Sequence, residues 1–255
     1  MTICQTFEAL KRRNEAALIA YTMAGFPTLD RSMECVEALC AGGADLVEIG
    51  VPFSDPIADG PAIQHAGIQA LKNGVHLRAI IESARSLRTD KPLLLMSYLN
   101  PLLAYGTTRA VNDMKQAGFS GLIVPDLPVD EAEFLRNDAE QTGLDMVFLA
   151  TPVTDDSRLR LIADRSQGFL YCVSLTGTTG MRDGIDDGLP AFLTRVRSAT
   201  DKPVAVGFGV STPQQVRQLS VLADGVIVGS RIVEAVRKEE DLEALVGELK
   251  KATKR

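Results

Sequence analysis

The chain has no tryptophan, two histidines and 5% aromatic residues in a length of 255. His65 and His76 belong to no HxH or HExxH pair, so no metal site is expected. Cys4, Cys35, Cys40 and Cys172 have no CxxC spacing and no histidine nearby. They read as free, buried thiols in a reducing cytoplasm rather than a disulfide or zinc framework. No window approaches the roughly 20 apolar residues of a membrane span. The N-terminal stretch MTICQTFEALKRRNEAA lacks the apolar core of a signal peptide and reads as a polar amphipathic helix. Basic excess is missing too: the net charge of -6 argues against a nucleic-acid or anionic-membrane surface. The first strand is followed by Met23-AGFPT, not by the GxGxxG of a dinucleotide fold.

What is present is repetition. Residues 41–49 (AGGADLVEI), 117–124 (AGFSGLIV), 142–149 (TGLDMVFL) and 223–228 (ADGVIV) repeat one phrase. Each is the end of an amphipathic helix, a glycine stop and a strand apolar on both faces, as buried parallel strands are. Thr-Asp-Lys-Pro occurs at 89–92 and again at 200–203, each time before an apolar strand. Eight strands are predicted near 17–21, 45–49, 93–97, 121–125, 145–149, 169–174, 203–207 and 225–229. Helical patterns fill the gaps; in 29–40, Leu29, Met33, Val36 and Cys40 fall on one face. Strict alternation in a chain near the roughly 250 residues of a barrel predicts a single (β/α)8 TIM barrel over 1–255, with an open doubly wound sheet as the alternative. Residues 1–15 are expected to add an N-terminal helix capping the barrel.

Two acids stand out. Glu48 lies inside the apolar run of Leu46, Val47, Ile49 and Val51. Burial disfavours a charged carboxylate and raises its pKa, as a general acid/base near neutrality requires. Asp59, in the loop before Pro61, supplies a second and more solvated carboxylate. The plain alternatives are a paired structural acid at 48 and a helix-opening residue at 59, since proline favours the first helical position.

Glycine turns follow the last three strands: 177–180 (GTTG), 207–213 (GFGVSTP) and 228–230 (VGS). Barrels often bind phosphate between the loops after strands seven and eight, where a short helix points its N-terminus inward. Gly209, Gly229 and Ser230 are the candidate backbone donors. Ser211 or Thr212 before Pro213 looks like a second helix start with free N–H groups. With only Arg231 close by, backbone recognition is expected to dominate. The long segment 177–190 is a candidate lid, with a surface excursion as the alternative.

VEIGVPFSDPIADGP (47–61), Tyr98 and Asn100 in SYLNP, Asp126 in VPDLP, YCVSLTGTTG (171–180), GFGVSTPQQV (207–216) and ADGVIVGS (223–230) together resemble the α subunit of tryptophan synthase. The match runs in order from about residue 17 to about residue 235. One departure is the lid's Gly-Thr-Thr-Gly, where the family more often has Gly-Val-Thr-Gly. The resemblance implies cofactor-free retro-aldol cleavage of indole-3-glycerol phosphate to indole and glyceraldehyde 3-phosphate. It implies Glu48 as the acid/base, Asp59 on the indole N–H, and Tyr171 and Thr179 in support. Phe208 would flank the indole, and Gly180, Gly209, Gly229 and Ser230 would hold the phosphate. It also implies a pyridoxal-phosphate-containing β subunit as partner, in an α2β2 tetramer that channels indole. The contact surface would be 52–60 with the region around Asn100 and Asp126.

Residue types weigh against other aldolase chemistry. Lys91 and Lys202 precede their strands, at the wrong mouth for a Schiff base. A stand-alone lyase, a non-catalytic allosteric subunit and a generic phosphosugar isomerase remain open on sequence.

Overall fold

The computed structural model describes residues 1–173, 188–207 and 209–255. In chain order the elements are α1 (Ile3–Arg12), β1 (Ala17–Met23), α2 (Leu29–Ala41), β2 (Leu46–Gly50), α3 (Pro61–Lys72), α4 (Leu77–Ala84), β3 (Leu93–Met96), α5 (Leu99–Tyr105), α6 (Thr107–Gln116) and β4 (Phe119–Ile123). There follow α7 (Glu133–Thr142), β5 (Asp145–Val147), β6 (Leu149–Ala150), α8 (Asp156–Arg165), β7 (Leu170–Val173), α9 (Leu189–Ala199), β8 (Val204–Gly207), α10 (Pro213–Leu222), β9 (Gly225–Val228), α11 (Ser230–Arg237) and α12 (Leu242–Lys251).

The strand order is β5-β4-β3-β2-β1-β9-β8-β7-β6, and the pairings are parallel. Its two ends, β5 and β6, are separated by Phe148 alone, so the order closes into a barrel. The nine strands are therefore the eight expected, with the fifth interrupted. The interruption has a local cause: the Phe148 N–H donates to the Ser166 hydroxyl at 3.2 Å.

Alternate residues of each strand face inward. Ile19, Leu46, Leu94, Ile123, Val147, Phe169, Ala205 and Ile227 fill the interior, and Ile3, Phe7 and Leu10 of α1 pack into the same cluster. The N-terminal helix is thus a plug. A capping box between Thr2 and Gln5 starts it. The opposite strand faces, such as Val47, Ile49 and Leu95, join the larger core beneath the helices. The duplicated Thr-Asp-Lys-Pro is a duplicated turn: the N–H groups of Lys91 and Lys202 donate to the hydroxyls of Thr89 and Thr200 at 3.0 and 3.1 Å.

Two expectations need correction. Cys4 is exposed and Cys40 half-buried; only Cys35 and Cys172 are buried thiols. Gly143 is a left-handed cap, but Gly225 is not. It opens β9, where a side chain would press on Ala205 and Phe7 of the plug.

Candidate active site at the C-terminal mouth

Glu48 lies on the inward face of β2, in line with Leu46 and Gly50. Its side chain is fully buried, and among the described residues neither carboxylate oxygen has a hydrogen-bond partner. Burial pushes its pKa up to about 8. A structural acid in such a place would be paired, because an unsatisfied buried carboxyl costs several kcal/mol at this depth, on the order of 2 or more. The paired-acid alternative therefore has no support in the geometry.

Asp59 is half-buried and lies at the end of the loop that follows β2. Its N–H donates to the Pro56 carbonyl at 3.1 Å, and its carbonyl accepts from Gln64 Nε2 at 2.8 Å. Burial pushes its carboxyl up to about 6, opposed by a hydrogen bond with Tyr98. It does not open α3: Gly60 is the N-cap, without a side-chain cap bond, and Pro61 begins the helix.

Tyr98 ties this loop to β3. Its hydroxyl accepts the Ala58 N–H at 2.9 Å, and its ring stacks on Phe53 with centroids 5.0 Å apart. One residue on, the Leu99 N–H donates to Asp126 Oδ1 at 2.9 Å, so Asp126 caps α5 from the loop after β4. Tyr171, on the inward face of β7, is buried, and its hydroxyl lies against Gly207 of β8. Burial, then the charges of Glu48 and Asp59, keep that phenol protonated. Tyr21 of β1 is buried too, and burial, then the charges of Asp59 and Glu48, keep its phenol protonated. One site thus gathers two unequal carboxyls and three phenols.

The expected phosphate donors sit at the rim. Gly209 is exposed in a left-handed conformation, φ +72°, that other residues rarely adopt. Gly229 is the N-cap of α11, and Ser230 is exposed at its first position. The first N–H groups of a helix have no partner within it, and its dipole places about half a unit of positive charge there. The expectation of free N–H groups before α10 does not hold. Gln215 Oε1 accepts from the N–H groups of Ser211 and Thr212 at 2.8 and 3.2 Å. The start of α11, by contrast, has no side-chain cap bond. Arg231 is held by Glu240 at 2.5 Å, in keeping with recognition by backbone.

Thr179, Gly180 and Phe208 lie outside the described residues, as does most of the 177–190 segment. Among the described residues no cluster of acidic, histidine or cysteine side chains could hold a metal ion. Sequence reasoning overlooked Tyr21 and the ties made by Tyr98 and Asp126. A tyrosine in an apolar strand reads as packing until strand register sets it beside Glu48.

Comparisons with known proteins converge on one family. The family model described as tryptophan synthase alpha chain matches residues 7–254. A tryptophan synthase alpha chain of Methanosarcina mazei is 46% identical over 253 residues, covering 97% of this chain and 93% of that protein. One from Geobacter sp. strain M21 is 46% identical over 245 residues, covering 95% and 92%. A chain in the structure of Mycobacterium tuberculosis tryptophan synthase superposes with a TM-score of 0.94 at 38% identity, covering 99% of this chain and 98% of that one. Subunit alpha from Legionella pneumophila gives 0.90 at 33%, covering 99% and 98%.

Proposed function

This chain belongs to the tryptophan synthase alpha chain family, and on that premise we propose that Glu48 and Asp59 share the proton chemistry of its reaction. The reaction is lyase cleavage of indole-3-glycerol phosphate to indole and glyceraldehyde 3-phosphate. The observation that carries the assignment is the fully buried carboxyl of Glu48, unpaired among the described residues, on the inward face of β2 two residues before its C-terminal end, the side where barrels keep their chemistry.

Near neutrality Glu48 is protonated and Asp59 is ionised, since their pKa values are about 8 and about 6. Glu48 gives its proton to the indole ring carbon that bears the side chain. Asp59 accepts a hydrogen bond from the ring N–H and stabilises the positive charge that spreads onto the ring. The Glu48 carboxylate then takes the proton of the side-chain hydroxyl. The oxygen's electrons form the aldehyde carbonyl, and the electrons of the breaking carbon–carbon bond return to the ring. Indole leaves, and Glu48 is again protonated. Tyr171 lines the same pocket in support. Among the described residues the phosphate is held by backbone N–H groups of Gly209, Gly229 and Ser230, with the α11 dipole favouring the anion.

Members of the family work with a beta subunit. For this chain we place that contact on 52–60 with Asn100 and Asp126, in a cytoplasmic α2β2 tetramer that passes indole between subunits. The support is that Ile57 on this loop is 83% exposed, while Tyr98 holds the next two residues, Ala58 and Asp59, at the site. The test is indole release from indole-3-glycerol phosphate by the purified chain, with and without a tryptophan synthase beta subunit. Slow release that rises sharply with the partner is expected. Fast release indifferent to the partner would make it a stand-alone lyase, and none in either case would sink the reading.

A further inference from the structure

We infer that the Tyr21 hydroxyl receives the Glu48 carboxylate when that group gives up its proton, which makes Tyr21 a positioning residue for the cleavage. The inference rests on the acid/base reading of Glu48 and deepens it.

Strands β1 and β2 pair with Tyr21 directly opposite Glu48. The Tyr21 ring runs along Gly229, whose Cβ, if it had one, would lie 3.5 Å from the tyrosine Cβ and Cδ1. The hydroxyl ends in a notch at Gly50, only 2.1 Å from where a Cβ would stand there, so the position admits glycine alone. Gly50 is two residues beyond Glu48 on the same face, roughly 6.6 Å along the strand. A glutamate side chain leaning along its own strand covers most of that gap. The other phenol of the interior, Tyr171, reaches its notch at Gly207, on β8.

The surroundings leave the hydroxyl little else to do. Met23, Phe26 and Val233 pack in the Tyr21 cluster, and Cys35 is its thiol. The ionisable groups that face the phenol are Asp59, Glu48, Tyr98 and Tyr171. Of these, Asp59 already has the Tyr98 hydroxyl, whereas Glu48 has no partner on either oxygen. Protonated, Glu48 tolerates that state. Once its proton has moved to the indole carbon, an anion stands in a buried site and needs a donor already in place. Tyr21 donates that hydrogen bond and keeps its own proton throughout, so the proton balance of the cleavage is unchanged.

Tyr21→Phe keeps the ring and removes the donor. Indole release would be measured against pH with the full chain and a beta subunit present. The expected result is a fall in kcat of roughly 10- to 50-fold, as for loss of a hydrogen bond to a charged group, with KM changed by no more than about twofold. The alkaline limb, which reads Glu48 deprotonation, should move to higher pH because the anion has lost a stabilising donor. Replacing Tyr21 with 3-fluorotyrosine, a stronger donor, should move that limb the other way, a readout that packing alone would not shift. Unchanged kcat and limb in Tyr21→Phe, or a rise confined to KM, would overturn the inference. Glu48→Gln, assayed in parallel, separates the two failures. If it is inactive while Tyr21→Phe behaves as the natural chain, only the role of Tyr21 falls; if it stays active, the reading of Glu48 falls with it.

Discussion

Asp45 and Glu48 stand three residues apart on one strand and its approach, and both are buried, yet the two mouths of the barrel treat them in opposite ways. At the N-terminal mouth Asp45 accepts the Leu18 N–H at 2.8 Å and Lys250 Nζ at 2.8 Å, and Lys250 reaches Glu15 at 3.1 Å. Nearby, Lys202 Nζ donates to the carbonyls of Ala163, Asp164 and Ser166 at 2.8, 2.9 and 2.6 Å, and Arg197 holds Asp224 at 2.5 Å. At the C-terminal mouth Glu48 is left with nothing. A cleft of about 700 Å³ opens at the first mouth, lined in part by Lys11, Arg197, Lys202, Asp224 and Arg255. Polar groups that are satisfied hold the ends of the chain together, whereas the fully buried Glu48 carboxyl has no partner among the described residues.

Substitutions can sharpen or break that contrast. The largest effect is expected from Glu48→Gln, which keeps shape and removes the proton: turnover should fall at least about a hundredfold. Unchanged turnover would end the assignment. The same variant should gain stability at high pH. A carboxyl raised on folding from 4.5 to about 8 contributes its stability fully below pH 4.5 and loses it as pH rises through 8. The melting temperature of Glu48→Gln should therefore exceed that of the natural chain by more at pH 9 than at pH 5, and an equal difference at both would show that the carboxyl is not protonated in the fold.

Asp45→Asn at the other mouth should do the reverse. Weakening a buried ionic hub costs roughly 2–4 kcal/mol of stability, read by denaturant unfolding, while kcat stays at the natural value. A fall in kcat per folded molecule would dissolve the division between the mouths. A smaller effect is expected from Tyr98→Phe. Because the hydrogen bond from Tyr98 lowers the Asp59 pKa, its loss should move the acid limb of the rate profile above about pH 6. The natural profile should be bell-shaped between about 6 and about 8, needing Asp59 ionised and Glu48 protonated. A limb that stays put would detach Tyr98 from Asp59. The smallest is Thr2→Ala in the capping box of the plug, worth about 1 kcal/mol of stability and nothing in turnover.

Much of this was legible in the residues. Alternation of apolar strands with amphipathic helices determined a parallel sheet covered by helices and, with eight such units, favoured closure into a barrel, because each strand needs cover on both faces and each helix buries one. A lone glutamate amid Leu46, Val47, Ile49 and Val51 determined that a carboxyl would be buried, and the Gly229-Ser230 turn that a helix would start at the rim. Sequence did not tell Asp45 from Glu48, since pairing depends on Lys250, more than two hundred residues away. Nor did it separate the two helix starts after the last strands: Gln215 folds back onto Ser211 and Thr212, while α11 starts without a side-chain cap bond. The break at Phe148 was set by the Ser166 hydroxyl. Nothing in local pattern singled out Tyr21; register set it opposite Glu48, and Gly50 left room for its hydroxyl. Local pattern decides which faces are buried, because burial follows the period of the chain. Which buried polar group finds a partner is decided by strands and helices far apart in sequence, and only the closed barrel brings those together.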